Sequence, residues 1–157
     1  MGSKSDYDIA KEAVDVLKSF GIEYEVIVSS AHRTPERTLE WSKTAESRGL
    51  DAIIALAGAA AHLAGVIASE TNLPVIAVPV AATALNGLDA LLSMVQMPGG
   101  IPVATMAIGK AGSKNAGIFA AQILGRREPE IARKLAQYKE DMKQKVYQDN
   151  EALQEML

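Results

Sequence analysis

Residues 52–78 read AIIALAGAAAHLAGVIASETNLPVIAV, and this stretch decides the fold. Ala52–Ala57 is an uninterrupted apolar run of strand length, Gly58–Ala61 is a turn of small residues, His62–Glu70 has helical length, and Val75–Val78 is a second apolar run between prolines. Strands without polar alternation are buried on both faces, the condition of a parallel sheet between two layers of helices. The same alternation continues in both directions. Upstream, Ile9, Ala13, Val16, Leu17 and Phe20 recur at helical spacing and predict a helix over Tyr7–Phe20, stopped by Gly21. Tyr24–Val28 is a short strand, followed by a helix that starts at Pro35 with Thr34 as its cap and runs to about Arg48 before Gly49. Downstream, a helix over Asn86–Gln96, a strand over Pro102–Ala107, a helix over Ser113–Leu124 and a long amphipathic helix from Pro129 complete the chain. Four strand–helix alternations without a linker or tandem repeat give one α/β domain over residues 1–157.

The distribution of charge is more informative than its sum. Sixteen Lys and Arg against nineteen Asp and Glu leave a net charge of -3, which argues against general affinity for nucleic acid or an anionic membrane. Between Gly49 and Gly125 the only charged side chains are Asp51, Glu70, Asp89, Lys110 and Lys114. A middle so poor in charge would leave apolar patches on a monomer, and subunit contacts cover them most cheaply, so a homo-oligomer is expected. From Arg126 onward charges of both signs are dense, as on a solvated helix. The absence of cysteine excludes disulfides, thiolate nucleophiles and Cys-based metal sites. The polar opening Met1–Asp6 carries no secretory signal and the Ala- and Gly-rich Ala52–Ala68 is a poor membrane span, so the protein is expected in the cytoplasm without a membrane partner.

In an open parallel sheet, ligands bind outside the carboxyl ends of the strands, where a loop enters the next helix. Three such loops carry chemistry. Gly2-Ser3-Lys4-Ser5-Asp6 leads straight into the first helix, offering free backbone N–H groups and hydroxyls to a phosphate or ribose; a plain helix cap accounts for the same residues. Ser29-Ser30-Ala31-His32-Arg33-Thr34-Pro35 places an imidazole able to exchange a proton near neutral pH beside a guanidinium able to clamp a phosphate. Gly58-Ala59-Ala60-Ala61-His62, with Ala57 before it, lets a flat ligand approach the backbone; His62 could touch that ligand, but the residues alone favour capping or packing at the helix start. No G-x-S-x-G elbow or P-loop spacing occurs, and two distant histidines with few carboxylates give no metal-ligand cluster, so no metal is expected.

Taken together, the strings Gly2–Asp6, Ser30–Pro35, Ala57–Leu63, Leu85–Asp89 and Ser93–Thr105 closely resemble those of the N5-carboxyaminoimidazole ribonucleotide mutase family (class I PurE) of de novo purine synthesis, in the same order from Met1 to about Tyr147. The resemblance implies a flavodoxin-like three-layer α/β/α sandwich with a parallel sheet and a long C-terminal helix, assembled as an octamer. It implies an isomerase without cofactor or metal that moves a carboxylate from the exocyclic nitrogen to C4 of the imidazole of its ribonucleotide substrate. Position by position, His32 matches the general acid/base, and Ser3, Asp6 and Arg33 match substrate-binding residues. Ser5, Ser30, Ala57, Gly58 and His62 are expected around them, in a dry and mainly apolar pocket that traps CO2 between steps.

Ala59 stands where the family usually has a second Gly, and Ala64 where it usually has Pro. The family also carries a hydrophobic strand immediately before the Gly-Ser turn, central in a sheet of order 2-1-3-4-5, whereas this chain opens at Met1. A sheet without that strand would either be rearranged or leave backbone groups on both neighbours unpaired. Two other functions remain open: an aminoimidazole ribonucleotide carboxylase using free CO2, a branch that tends to have Lys after the His, and a non-catalytic flavodoxin-like module that binds a nucleotide or flavin.

Overall fold

A computed structural model describes all 157 residues. Helices α1 (Tyr7–Phe20), α2 (Pro35–Thr44), α3 (Leu63–Ala68), α4 (Leu88–Val95), α5 (Lys110–Leu124) and α6 (Pro129–Gln154) surround strands β1 (Ile53–Gly58), β2 (Val75–Val80) and β3 (Ala104–Thr105). The three strands form one parallel sheet in the order β1-β2-β3. Strand geometry sends alternate side chains to opposite faces. Ile53, Ala55, Ala57, Val75 and Ala77 pack with α3 and α4 into one cluster, while Leu56, Ile76, Val78 and Val80 pack with α1 and α5 into another. The result is the expected flavodoxin-like α/β/α sandwich.

Helix α1 occupies the predicted span, and Gly21 ends it in a left-handed conformation at φ 73° that its missing side chain permits. Gly117 lets α1 and α5 cross closely: a Cβ there would stand 2.9 Å from the Val16 Cβ and 3.0 Å from the Ala13 carbonyl oxygen. Helix α6 docks through Ile131, Leu135 and Tyr138 against Val16, Phe20 and Ala121, with the Phe20 and Tyr138 rings edge-on at 5.9 Å. Its second half projects past the sandwich, leaving Met142, Val146, Tyr147 and Leu153 exposed. No helix is long and apolar enough to cross a membrane.

Three expectations are corrected. Tyr24–Val28 forms no strand, because it lacks a ladder partner: between it and β1 lies only the single residue Met1, whose ammonium donates to the Ile27 carbonyl (3.0 Å) and whose carbonyl accepts from Ser29 N–H (2.9 Å). The strand expected over Pro102–Ala107 contracts to Ala104–Thr105, since the chain turns away after Thr105 and keeps only isolated bonds, from Met106 N–H to Ala77 and from Gly109 N–H to Pro79. β2 continues through Pro79 to Val80. Proline's missing N–H falls on the side facing β3, where that strand has already ended, so no ladder bond is lost.

Candidate active site

The three chemistry-bearing loops meet at the carboxyl end of the sheet in a cleft of about 440 Å³, within the range of small-molecule sites. Each sequence-predicted site residue lines it: Ser3, Ser5, Asp6, Ser30, His32, Arg33, Ala57, Gly58 and His62. Residues from three separate parts of the chain are thus gathered by the parallel sheet. The loop after β2 contributes Ala82, which sequence reasoning missed. Its residue type carries no signal; only its position beyond a strand end could have found it.

The opening turn is both a cap and a cradle. Ser3 caps a short 3-10 turn over Lys4–Asp6, and the Asp6 carboxylate accepts from Ser3 N–H at 3.1 Å, completing a reciprocal capping box. The Ser5 hydroxyl lies 2.8 Å from the Ser3 hydroxyl and 3.4 Å from the other Asp6 oxygen. Asp6 is buried, so its carboxylate holds the turn while the two serine hydroxyls face the cleft.

The second loop is fixed by hydrogen bonds within itself. Thr34 sits at the helix-cap position, yet its hydroxyl makes no cap bond; it accepts from Ser30 N–H at 3.0 Å and donates to the Ser30 carbonyl at 3.1 Å. This corrects the expected capping role. The Arg33 guanidinium donates to the Ser30 hydroxyl (3.4 Å) and to the Gly2 carbonyl (3.2 Å), tying the second loop to the first. One cation therefore sits between two sets of hydroxyls, an arrangement suited to an anionic group.

His62 stands at the start of α3 but makes no cap bond either. Its Nδ1 lies 2.8 Å from His32 Nε2, with the rings nearly perpendicular at 84° and their centroids 5.0 Å apart. One ring must donate and the other accept, so the two facing nitrogens hold a single proton between them. Both rings are exposed in the single chain. No cluster of three His, Cys, Asp or Glu side chains is present.

The small residues beneath the histidines are required by space and by backbone shape. A Cβ on Gly58 would come within 2.5 Å of the Ala82 Cβ and 3.0 Å of the Val80 carbonyl. Ala59 holds φ 54°, a left-handed conformation that a side chain disfavours by about 1–2 kcal/mol. Ala59→Gly is therefore expected to raise Tm by about 2–4 °C per kcal/mol of relieved strain; a fall in thermal denaturation temperature would contradict this account.

A flavodoxin-like domain with a hydroxyl- and arginine-lined cleft and a histidine pair at its strand ends defines a class of small-molecule α/β proteins with acid/base capability. The chain belongs to the AIR carboxylase family, which it matches over residues 1–145. It is 57% identical over 156 residues to the N5-carboxyaminoimidazole ribonucleotide mutase of Thermotoga maritima, covering 99% of this chain and 90% of that protein. The enzyme of the same name from Bacillus subtilis is 54% identical over 153 residues, covering 98% and 94%. Among solved structures, PurE of Treponema denticola superimposes with a TM-score of 0.86 at 34% identity, covering 98% of this chain and 94% of that one.

Proposed function

We propose that this chain is an isomerase of purine biosynthesis that converts N5-carboxyaminoimidazole ribonucleotide into 4-carboxy-5-aminoimidazole ribonucleotide. The observation that carries the reading is the convergence of His32 and His62 on one cleft wall with Arg33 and the Ser3–Asp6 turn beside them. Relatives sharing more than half of this sequence bear the name of that mutase.

Protonated His32 delivers its proton to the exocyclic nitrogen as the N–C bond breaks and CO2 departs. C4 then attacks the CO2, and the same imidazole, now neutral, removes the C4 proton and restores aromaticity. One group serves both halves because the proton given in the first is recovered in the second. His62, bonded to His32 Nε2, orients that ring. Arg33, Ser30 and the Ser3–Asp6 turn hold the ribose phosphate, and the backbone of Ala57 and Gly58 lies against the heterocycle. No metal or organic cofactor takes part in this scheme.

The test is turnover of substrate carrying a 13C carboxylate in unlabelled bicarbonate, followed by NMR. Retention of label at C4 is expected. Turnover of the uncarboxylated ribonucleotide with bicarbonate, and label dilution to match, would favour the carboxylase. Ligand binding without turnover would favour the non-catalytic module.

The same reading includes an octamer in the cytoplasm, whose neighbouring subunits close the open side of the cleft. Leu88, Leu92 and Val95 share one face of α4 and are 52%, 47% and 51% exposed, with Leu85 beside them at 60%. A continuous apolar stripe in the charge-poor segment supports burial between subunits. Light scattering is expected to give eight times the 16.6 kDa chain mass, and Leu92→Glu, which sets a charge within that stripe, to lower it at least twofold. A monomer in the unmutated protein would overturn the assembly.

A further inference from the structure

The loop that joins β2 to α4, residues 81–87, is built around a hydroxyl that the mechanism above does not use. Thr83 lies outside the cleft, and three hydrogen bonds meet on it. Its hydroxyl accepts from Leu85 N–H at 3.1 Å and its carbonyl accepts from Asn86 N–H at 3.1 Å, which form a turn within the loop. The same hydroxyl donates to the Asp89 carboxylate at 2.7 Å and so fastens that turn to the first turn of α4. At the base of the loop Gly87 closes on its start: a Cβ there would stand 2.8 Å from Ile108 Cγ2 and 3.3 Å from Ala81 Cα. The loop is therefore fixed at its ends by packing and at its middle by the Thr83–Asp89 bond.

What the loop carries to the site is Ala82, the residue before Thr83. Ala82 lines the cleft, and its Cβ is the atom that a side chain on Gly58 would meet first, at 2.5 Å. It stands directly against the backbone that leads to His62, so a shift of Thr83 moves it toward or away from that wall. Asp89 is half-buried: Oδ2 accepts from Thr83, while Oδ1 is buried and has no donor. Leaving a carboxylate oxygen in that state costs more than the helix dipole returns for a negative charge in the first turn of α4. Helix stability alone does not account for this residue; the bond it makes to the loop does.

We propose that Thr83 and Asp89 are positioning residues: their bond holds Ala82 against Gly58 and so sets the width of the cleft between the loops after β2 and β1. The ligand concerned is the imidazole ribonucleotide of the mutase reading, on which this inference rests. Neither Thr83 nor Asp89 lines the cleft, and Ala82 offers the ligand only a methyl group. Such a contact is worth the same in the bound substrate and in the transition state, so its loss is felt in affinity rather than in the chemical step.

The test starts from Thr83→Val, which keeps the side-chain shape and the Asp89 charge but removes the hydroxyl. Its KM for N5-carboxyaminoimidazole ribonucleotide is expected to rise by about 10-fold, the effect of one lost hydrogen bond, with kcat within about twofold. Asp89→Ala should do the same and add little when combined with Thr83→Val, since both remove one bond. Thr83→Ser keeps the hydroxyl and Asp89→Asn keeps an accepting oxygen, so each should retain the original KM. A role limited to the α4 dipole predicts that Thr83→Val leaves KM unchanged; that result would overturn the proposal, as would additive effects in the double variant. Alanine methyl NMR gives a readout without turnover. In Thr83→Val the Ala82 methyl is expected to shift while Ala10 and Ala116, packed on the opposite face of the sheet, stay in place. An unmoved Ala82 would overturn the proposal, whereas absence of turnover in the unmutated protein would count against the mutase reading alone.

Discussion

His32→Asn is expected to lower kcat by about 10²–10⁴-fold while substrate affinity stays within a few-fold, because general acid/base transfer contributes on that scale and the variant keeps the rest of the cleft. Asparagine approximates the shape of the ring and can still donate to His62 Nδ1, which now lies 2.8 Å from His32 Nε2. It has no proton to exchange near neutral pH, so the departing CO2 leaves behind a nitrogen that nothing protonates. Calorimetric binding beside steady-state turnover separates the two effects. Wild-type turnover in His32→Asn would remove this residue from the mechanism; if only His62→Asn were inactive, the roles of the two rings would be exchanged.

Arg33→Ala is expected to raise KM by about 10–100-fold with a smaller change in kcat, the size of one or two lost charge-assisted hydrogen bonds. The guanidinium now reaches the Gly2 carbonyl and the Ser30 hydroxyl, two groups belonging to different loops, and an arriving phosphate would meet it between them. Arg33→Lys tests geometry against charge. Lysine supplies the same sign without a planar fork, so only part of the affinity should return. A substrate analogue lacking the phosphate should bind Arg33→Ala and the unmutated protein about equally; a large difference would assign Arg33 to another part of the ligand.

Helix α1 and the two apolar runs at Ala52–Ala57 and Val75–Val78 were legible because each is governed by its own residues: periodicity, a terminal glycine, and continuous burial on both sheet faces. Tyr24–Val28 was misjudged for the opposite reason. A strand exists only with a ladder partner, and the backbone of this segment meets only Met1 on the side facing β1. Thr34 and His62 were assigned to capping from their positions, yet both side chains turn to another residue, Ser30 and His32 respectively. Local sequence ranks a nearby backbone group as the default partner; it cannot weigh a competing group brought in by folding.

The sequence alone determined the α/β class, the three loops, and the residue types that make them chemically capable, since strand burial and loop composition are written within short windows of the chain. Tertiary structure alone decided that His32 and His62, thirty positions apart, share one hydrogen bond, and that Arg33 joins the second loop to the first. Such contacts depend on how the sheet stacks distant segments side by side, and distance along the chain holds no information about distance in space until that stacking is complete.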